Sequence, residues 1–267
     1  RGQCVVGSQR RTQAETDCAR RVVLRLRWAF AAGVAGPTGR YGWFGVDYAG
    51  TPEPTETLVE PQLLASVNGR LDVTMTVAYL KTMLDGKEVN LRSMFGSIPA
   101  PTLRVNVGDT LRILVDNRLP PSKESGFGPV KHLRYPNSMN LHTHGLHVTP
   151  GLVSENPKVY GDFVMDDPEL GIKPGTTRQH EYAIRPDHPP GAYWYHPHLH
   201  GSTAMQIGSG MAGTILMKGA VDRVPEIAAA QERVFVFQAP IFDATGALES
   251  FSQVADNGGV AAPNASV

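Results

Sequence analysis

The sequence has little cysteine, no excess of either charge and no long apolar run. Its 267 residues include only two cysteines, Cys4 and Cys18, which could pair in an oxidising compartment but do not define a disulfide framework. Basic and acidic residues each number 25, so the net charge indicates neither nucleic acid nor an acidic partner. No run reaches the roughly 18 apolar residues of a membrane-spanning helix, so no membrane span is predicted.

Glycine and proline, by contrast, are plentiful and separate short alternating apolar segments. Glycine occurs 28 times and proline 21 times, and this pattern of turn residues between short apolar segments is typical of an all-β protein. Apolar residues alternate with polar ones over residues 71–77, and again over 103–107 and 111–115 on either side of Gly108-Asp109. Further strands are predicted at 180–184, 192–196, 213–217 and 233–238. No amphipathic helix separates them, which favours a sandwich or barrel of antiparallel strands.

The sequence predicts three regions along the chain. Residues 1–55 form a leader or a disordered N-terminal extension, because the basic and apolar segment 20–36 loosely resembles an export signal that Arg25 and Arg27 interrupt. Residues 56–220 form the first domain. Residues 221–267 form a linker and the start of a second, incomplete domain, because the stretch 219–232 breaks the strand rhythm before a new apolar segment begins.

The histidines are concentrated in two short stretches. All nine lie between His132 and His200, and NLHTHGLHVTP (140–150) and GAYWYHPHLHGS (191–202) hold six of them. Residues i and i+2 of a strand point to one face with Cα atoms about 6.6 Å apart, so each His-x-His aims two imidazoles into one space. Chance would give roughly 0.3 such pairs at this composition. Three are present, and neutral imidazoles suit copper, zinc, iron or nickel.

Together with SIPAPTLRVNVGDTLRILVDNRL and SGMAGTILMKG, these two stretches resemble the first cupredoxin domain of a multicopper oxidase. That family includes laccases, bilirubin oxidases and cuprous oxidases, and the resemblance covers about residues 61–218. It implies an all-β, cupredoxin-like Greek-key sandwich or barrel, followed by the start of a second such domain.

The resemblance also implies a ligand set for copper. His142 would bind the type 2 copper, while His144 and His196 would share a type 3 copper. His198 would bind the other type 3 copper. These histidines would form half the shell of a trinuclear cluster that reduces dioxygen to water with electrons from a small-molecule or metal-ion reductant. An acidic residue after the first His-x-His relays protons in this family, and Glu155 is the nearest match, with Asp162 as the alternative.

The chain lacks other parts that the family needs. A type 1 copper requires a cysteine thiolate, and neither Cys4 nor Cys18 lies in the cupredoxin-like region. The resemblance places that cysteine and the remaining trinuclear ligands in a C-terminal cupredoxin domain that is missing here. We therefore expect a chain that is inactive alone, in a protein that is secreted or periplasmic.

The other histidines are predicted to have lesser roles. His147 is out of phase with the first pair and is expected to face solvent or form a hydrogen bond. His200 is in phase with the second pair and is expected to support it. His132, His180 and His188 are expected to be ordinary surface residues. Tyr193, Trp194 and Tyr195 are expected to pack the strand that presents His196, without chemistry of their own.

Two alternative functions stay open at this stage. HTHGLH resembles the metal motif of zinc-dependent metallo-β-lactamase-like hydrolases, but Leu146 stands where that motif has aspartate. The non-enzymatic alternative is a copper-binding cupredoxin-like module without turnover.

Overall fold

A computed structural model of the protein describes residues 59–84, 86–122, 135–164 and 171–238. The eleven strands of this part are β1 (Leu63–Ala65), β2 (Arg70–Leu84), β3 (Lys87–Met94), β4 (Thr102–Asn106), β5 (Thr110–Asn117), β6 (His142–His144), β7 (Leu152–Glu155), β8 (Lys158–Tyr160), β9 (Thr177–Ala183), β10 (Gly191–His196) and β11 (Gly213–Lys218). Its helical segments are α1 (Thr203–Gly208), a 3-10 turn (Ala220–Arg223) and α2 (Pro225–Ala228). None of the helices within the described ranges is long and apolar enough to cross a membrane.

The strands form two sheets that enclose one hydrophobic core. The first sheet has the order β1-β4-β11-β10-β6, and the second has the order β3-β2-β5-β9-β8-β7. Alternate residues of both sheets point into the same buried cluster, for example Val105 and Ile215 from the first and Met75 and Ile113 from the second. This nearly all-strand architecture confirms the predicted all-β fold class. The alternating segments at 71–77, 103–107 and 111–115 lie in or adjoin β2, β4 and β5 as predicted.

The expectation of antiparallel strands holds for only some of the strand pairs, since both sheets are mixed. β4 runs parallel to β1 and to β11, and β2 runs parallel to β5. The cause lies in connections such as the turn at Gly108, where φ is +91°. This turn carries the chain from β4 in one sheet to β5 in the other. Consecutive strands that belong to different sheets do not pair as hairpins, so their neighbours come from distant parts of the sequence.

The predicted strand at 233–238 was also wrong. These residues have no ladder partner in the part of the chain that the structure describes, and Phe235 and Phe237 are 49% and 73% exposed. The segment is held instead by the Val234 N–H, which donates to the Glu60 carboxylate at 3.0 Å. Residues 1–58 and 239–267 lie outside the described ranges, so the predicted leader and second domain stay predictions.

Candidate metal centre

Strands β6 and β10 bring the two histidine motifs together. They pair antiparallel, with His142 opposite His196 and His144 opposite Trp194. Residues directly opposite on paired strands project from the same face of the sheet. Thr143 and Tyr195, which oppose each other between these pairs, are buried on the other face. The period of two therefore sorts the imidazoles to one side of the sheet and the core residues to the other.

Four imidazoles are clustered on that side. The ring centroid of His142 lies 5.4 Å from that of His144 and 5.2 Å from that of His196. His198, just after β10, lies 5.2 Å from His142 and 5.9 Å from His196. One ring nitrogen from each of His142, His144 and His196 lies within 4.8 Å of the others, a grouping that could hold a metal ion.

The carboxylate of Asp162 fixes the tautomer of His142. Asp162 Oδ2 lies 2.9 Å from His142 Nδ1, and Oδ1 accepts the backbone N–H of Thr143 at 2.8 Å. Because an ionised carboxylate only accepts hydrogen bonds, Nδ1 carries the proton and Nε2 keeps its lone pair. Histidines that bind metals commonly have their second ring nitrogen held in this way.

His196 and His198 carry buried nitrogens that have no hydrogen-bond partner among the described residues. His196 donates from Nδ1 to the carbonyl of Pro197 at 2.8 Å, which leaves Nε2 buried and unpaired. Burial, with a smaller contribution from the neighbouring imidazoles, lowers the pKa of His196 to about 4. His198 has an unpaired, buried Nδ1, and burial lowers its pKa as well. At neutral pH these rings are uncharged, and the unpaired lone pair of His196 fits a metal ion as its partner.

The loop that carries His198 is held by Asn140. The side-chain oxygen of Asn140 accepts the backbone N–H of His198 at 2.6 Å. Asn140 lies two residues before the first residue of β6. This bond therefore connects the second histidine motif to the first.

Trp194 belongs to the histidine face, contrary to the expectation that it only packs the strand. Its indole stacks on His196 with centroids 3.9 Å apart and on His144 with centroids 5.1 Å apart. The sequence contained the signal for this position, because residue 194 is two before His196 and so shares its face. Tyr195, on the opposite face, packs in the core and donates its hydroxyl to the Pro101 carbonyl at 2.7 Å.

The acidic residues and the outlying histidines have distinct positions. Glu155 is exposed on β7, and no contact within the described ranges joins it to the four histidines. Asp162, the alternative, contacts His142 directly. The ring of His200 lies 5.9 Å from that of His198. His147 donates its backbone N–H to His188 Nε2 at 3.0 Å, so its predicted hydrogen-bonding role is present, although the bond comes from the backbone.

The expectation that His180 and His188 lie on the surface was wrong. His180 is fully buried on β9, and His188 is 3% exposed. His188 uses both ring nitrogens internally, through the His147 N–H and the Pro189 carbonyl. The alternation of 180–184 could have indicated the burial of His180, because its face also carries Tyr182 and Ile184. His132 lies outside the described ranges.

Fold and site together define a two-sheet β-domain that presents four clustered imidazoles on one face of a sheet. Residues 131–221 match a family model for the multicopper oxidases. The chain is 27% identical over 165 residues to a laccase of Bacillus stratosphericus, a match that covers 58% of this chain and 30% of the laccase. It is 31% identical over 134 residues to an iron transport multicopper oxidase of Candida albicans, covering 48% of this chain and 16% of that protein.

Part of a solved structure is also similar. A metallo-oxidase described as the multicopper oxidase from Campylobacter jejuni matches with 26% identity and a TM-score of 0.45, covering 61% of this chain and 29% of that one. The chain therefore spans less than a third of the length of each of these three relatives. Residues 131–221 are thus similar to the multicopper oxidases, as both the family model and the match to the laccase indicate.

Proposed function

We propose that this chain supplies half of the imidazole shell of a trinuclear copper centre in a laccase-like multicopper oxidase. His142 binds the type 2 copper, and His144 and His196 bind one type 3 copper. His198 binds the second type 3 copper. The observation that carries this proposal is the pairing of β6 with β10, which sets His142 opposite His196 on one face of the sheet.

The protonation states of the cluster support the binding of a transition-metal ion, and copper is one that imidazoles bind well. Imidazole nitrogen is a ligand that copper prefers, and it binds only in its neutral form. Burial keeps His196 neutral, and the bond from His142 Nδ1 to Asp162 leaves Nε2 free for a metal. When bound, copper would supply the route by which four one-electron oxidations of a substrate reduce dioxygen to water.

We assign the supply of protons to Asp162 in preference to Glu155. The reduction of dioxygen consumes protons, and a relay must lie within hydrogen-bond reach of the site. Asp162 Oδ2 lies 2.9 Å from a ring nitrogen of the cluster, whereas Glu155 is exposed on the edge strand of the other sheet. In this role Asp162 takes up a proton only transiently and returns to the ionised form that accepts from His142 and Thr143.

The cluster lies at the edge of its sheet, which supports a copper site whose remaining ligands come from another part of the protein. β6 is the last strand of its sheet, and His144 on that strand is exposed. A further cupredoxin domain would add the remaining ligands and the type 1 site, where a small-molecule or metal-ion reductant delivers electrons. We propose a secreted or periplasmic location for this protein.

The test is a copper titration of the 267-residue chain, followed by metal analysis and electron paramagnetic resonance. The double variant His142→Ala/His196→Ala is expected to bind copper at least about tenfold more weakly than the wild type, because it lacks two facing ligands. His147→Ala is the matched control, since this histidine lies nearby but outside the cluster, and it is expected to bind copper like the wild type.

Two results would contradict the proposal. Copper binding that survives in the double variant would place the metal elsewhere, and stoichiometric zinc without copper in the purified chain would indicate a different class of site. Without the remaining ligands, the chain is also expected to consume no oxygen in the presence of a phenolic reductant. Turnover by the chain alone would contradict the half-shell assignment.

A further inference from the structure

His180 is a fully buried polar residue that the ligand set does not use. It lies on β9 with its ring parallel to that of Tyr182, at an interplanar angle of 10° and a centroid distance of 6.0 Å. A buried imidazole is costly to place in a core unless its polar atoms are satisfied. The burial of this imidazole therefore needs a structural explanation.

Within the described ranges, the ring of His180 makes one hydrogen bond, to the backbone of Gly161. Nδ1 lies 2.8 Å from the Gly161 carbonyl, while Nε2 is buried without a partner in the described part of the chain. Because a carbonyl oxygen only accepts, the proton of this imidazole resides on Nδ1. The same oxygen also accepts the N–H of Phe163 at 2.9 Å. His180 thus donates into the tight turn that has Asp162 at its centre.

The turn at 161–163 is fixed from its other side as well. The N–H of Gly161 donates to the Gly151 carbonyl at 2.7 Å, and the N–H of Asp162 donates to the Thr149 carbonyl at 2.8 Å. A Cβ on Gly161 would lie 2.0 Å from the Thr149 oxygen, so no side chain fits there. The peptide of Gly161 is therefore held between the 149–151 segment and the ring of His180.

Asp162 extends from this fixed peptide to the metal centre. Its two carboxylate oxygens bond the Thr143 N–H and the ring nitrogen of His142. Two hydrogen bonds, joined by the covalent link from Gly161 to Asp162, thus connect His180 to His142. Precise placement of the carboxylate matters here, since hydrogen-bond strength falls steeply with poor distance and angle.

We propose that His180 is a positioning residue for the metal centre. Its Nδ1–H orients the Gly161 peptide and thereby sets the carboxylate of Asp162, which holds His142 in the Nδ1–H tautomer with Nε2 directed at the metal. The effect of this positioning on copper binding rests on the proposed function. The orientation of His142 itself is a property of the metal-free chain.

The test compares two nearly isosteric substitutions of His180 in the complete, metal-free chain. In His180→Asn the side-chain amide can stand in for Nδ1–H, whereas His180→Leu removes the donor while it fills a similar volume. The readout is the tautomer of His142, measured by nitrogen-15 nuclear magnetic resonance of labelled histidines. The wild type and His180→Asn are expected to show the Nδ1–H tautomer, and His180→Leu a mixture with Nε2–H.

A second variant covers the case in which His180→Leu does not fold, and copper affinity provides a second measurement. If His180→Leu does not fold, His180→Gln replaces it, because glutamine carries its amide near the position of Nε2 and lacks the donor at Nδ1. Copper affinity is expected to fall about tenfold in the variants without the donor and to recover in His180→Asn. A folded variant that lacks the donor and keeps the wild-type tautomer overturns the inference. A chain that shows the tautomer change but binds no copper overturns only the proposed function.

Discussion

At the scale of the residue, the chemistry of the centre depends on which ring nitrogens carry protons. Burial keeps His196 uncharged, with a pKa of about 4. Asp162 decides the tautomer of His142, and its other oxygen is held by the backbone N–H of Thr143. One carboxylate therefore orients the His142 ring and connects it to the strand on which it lies.

The two candidate proton relays can be separated by substitution. Asp162→Asn replaces an acceptor beside His142 with a group that cannot relay a proton, so oxygen consumption by the complete oxidase should fall at least about a hundredfold. Glu155→Gln is the matched change at an exposed site away from the cluster and should leave oxygen consumption near the wild-type rate. Oxygen-electrode assays of both variants supply the comparison. Loss of activity in Glu155→Gln together with normal activity in Asp162→Asn would restore the assignment of Glu155.

At the scale of the element, the geometry of β10 depends on its neighbour β11. Gly213 of β11 lies opposite Tyr195 of β10, the residue before His196. A Cβ on Gly213 would lie 2.3 Å from the hydroxyl oxygen and Cζ of Tyr195. This tyrosine is fully buried and bonded to Pro101, so it has little freedom to move. The absence of a side chain at 213 allows the ring to lie flat against β11.

Gly213→Ala is expected to destabilise the domain. The added methyl group overpacks the core against Tyr195, at a cost of about 1–3 kcal/mol in the free energy of unfolding. Gly151→Ala is the control, because a Cβ at that position meets no atom within 4 Å. Its effect should stay within about 0.5 kcal/mol. Urea denaturation of the two variants measures the difference, and equal stability would show that the ring of Tyr195 can shift freely.

At the scale of the whole molecule, buried histidines link folding to pH. Burial is the largest cause that lowers the pKa of His180 from 6.5 to about 4, opposed by its bond to the Gly161 carbonyl. In the unfolded chain the pKa returns to about 6.5. Between these values the unfolded state binds a proton that the folded state does not. The metal-free domain therefore has its full stability above about pH 6.5 and loses it as the pH falls toward 4.

The contribution of His180 to this loss can be measured directly. Between pH 7 and pH 5 its lowered pKa should remove about 2 kcal/mol of unfolding free energy. His180→Asn has no group that titrates at this position, so its stability should fall by about 2 kcal/mol less over the same range. Urea denaturation at both pH values gives the four free energies required. An identical pH dependence in the two proteins would mean that His180 becomes protonated without unfolding.

Several features of the fold and site were predictable because they arise from local periodicity. Alternation placed strands at 71–77 and 111–115, and the spacing of His142 and His144 indicated that both imidazoles share one face. The mixed direction of the sheets was not predictable in this way. It depends on connections such as that at Gly108, which move the chain from one sheet to the other without a change in the alternation.

The sequence by itself determined that these histidines form same-face pairs, because the period of a strand is set by covalent geometry. It also contained the family motifs. Only the tertiary structure decided that β6 pairs with β10, that Asp162 is the acid bonded to His142, and that His180 lies behind that acid. Those contacts join segments about 20 or more residues apart in sequence. Their partners are selected by packing and hydrogen bonding across the whole domain, which no local pattern encodes.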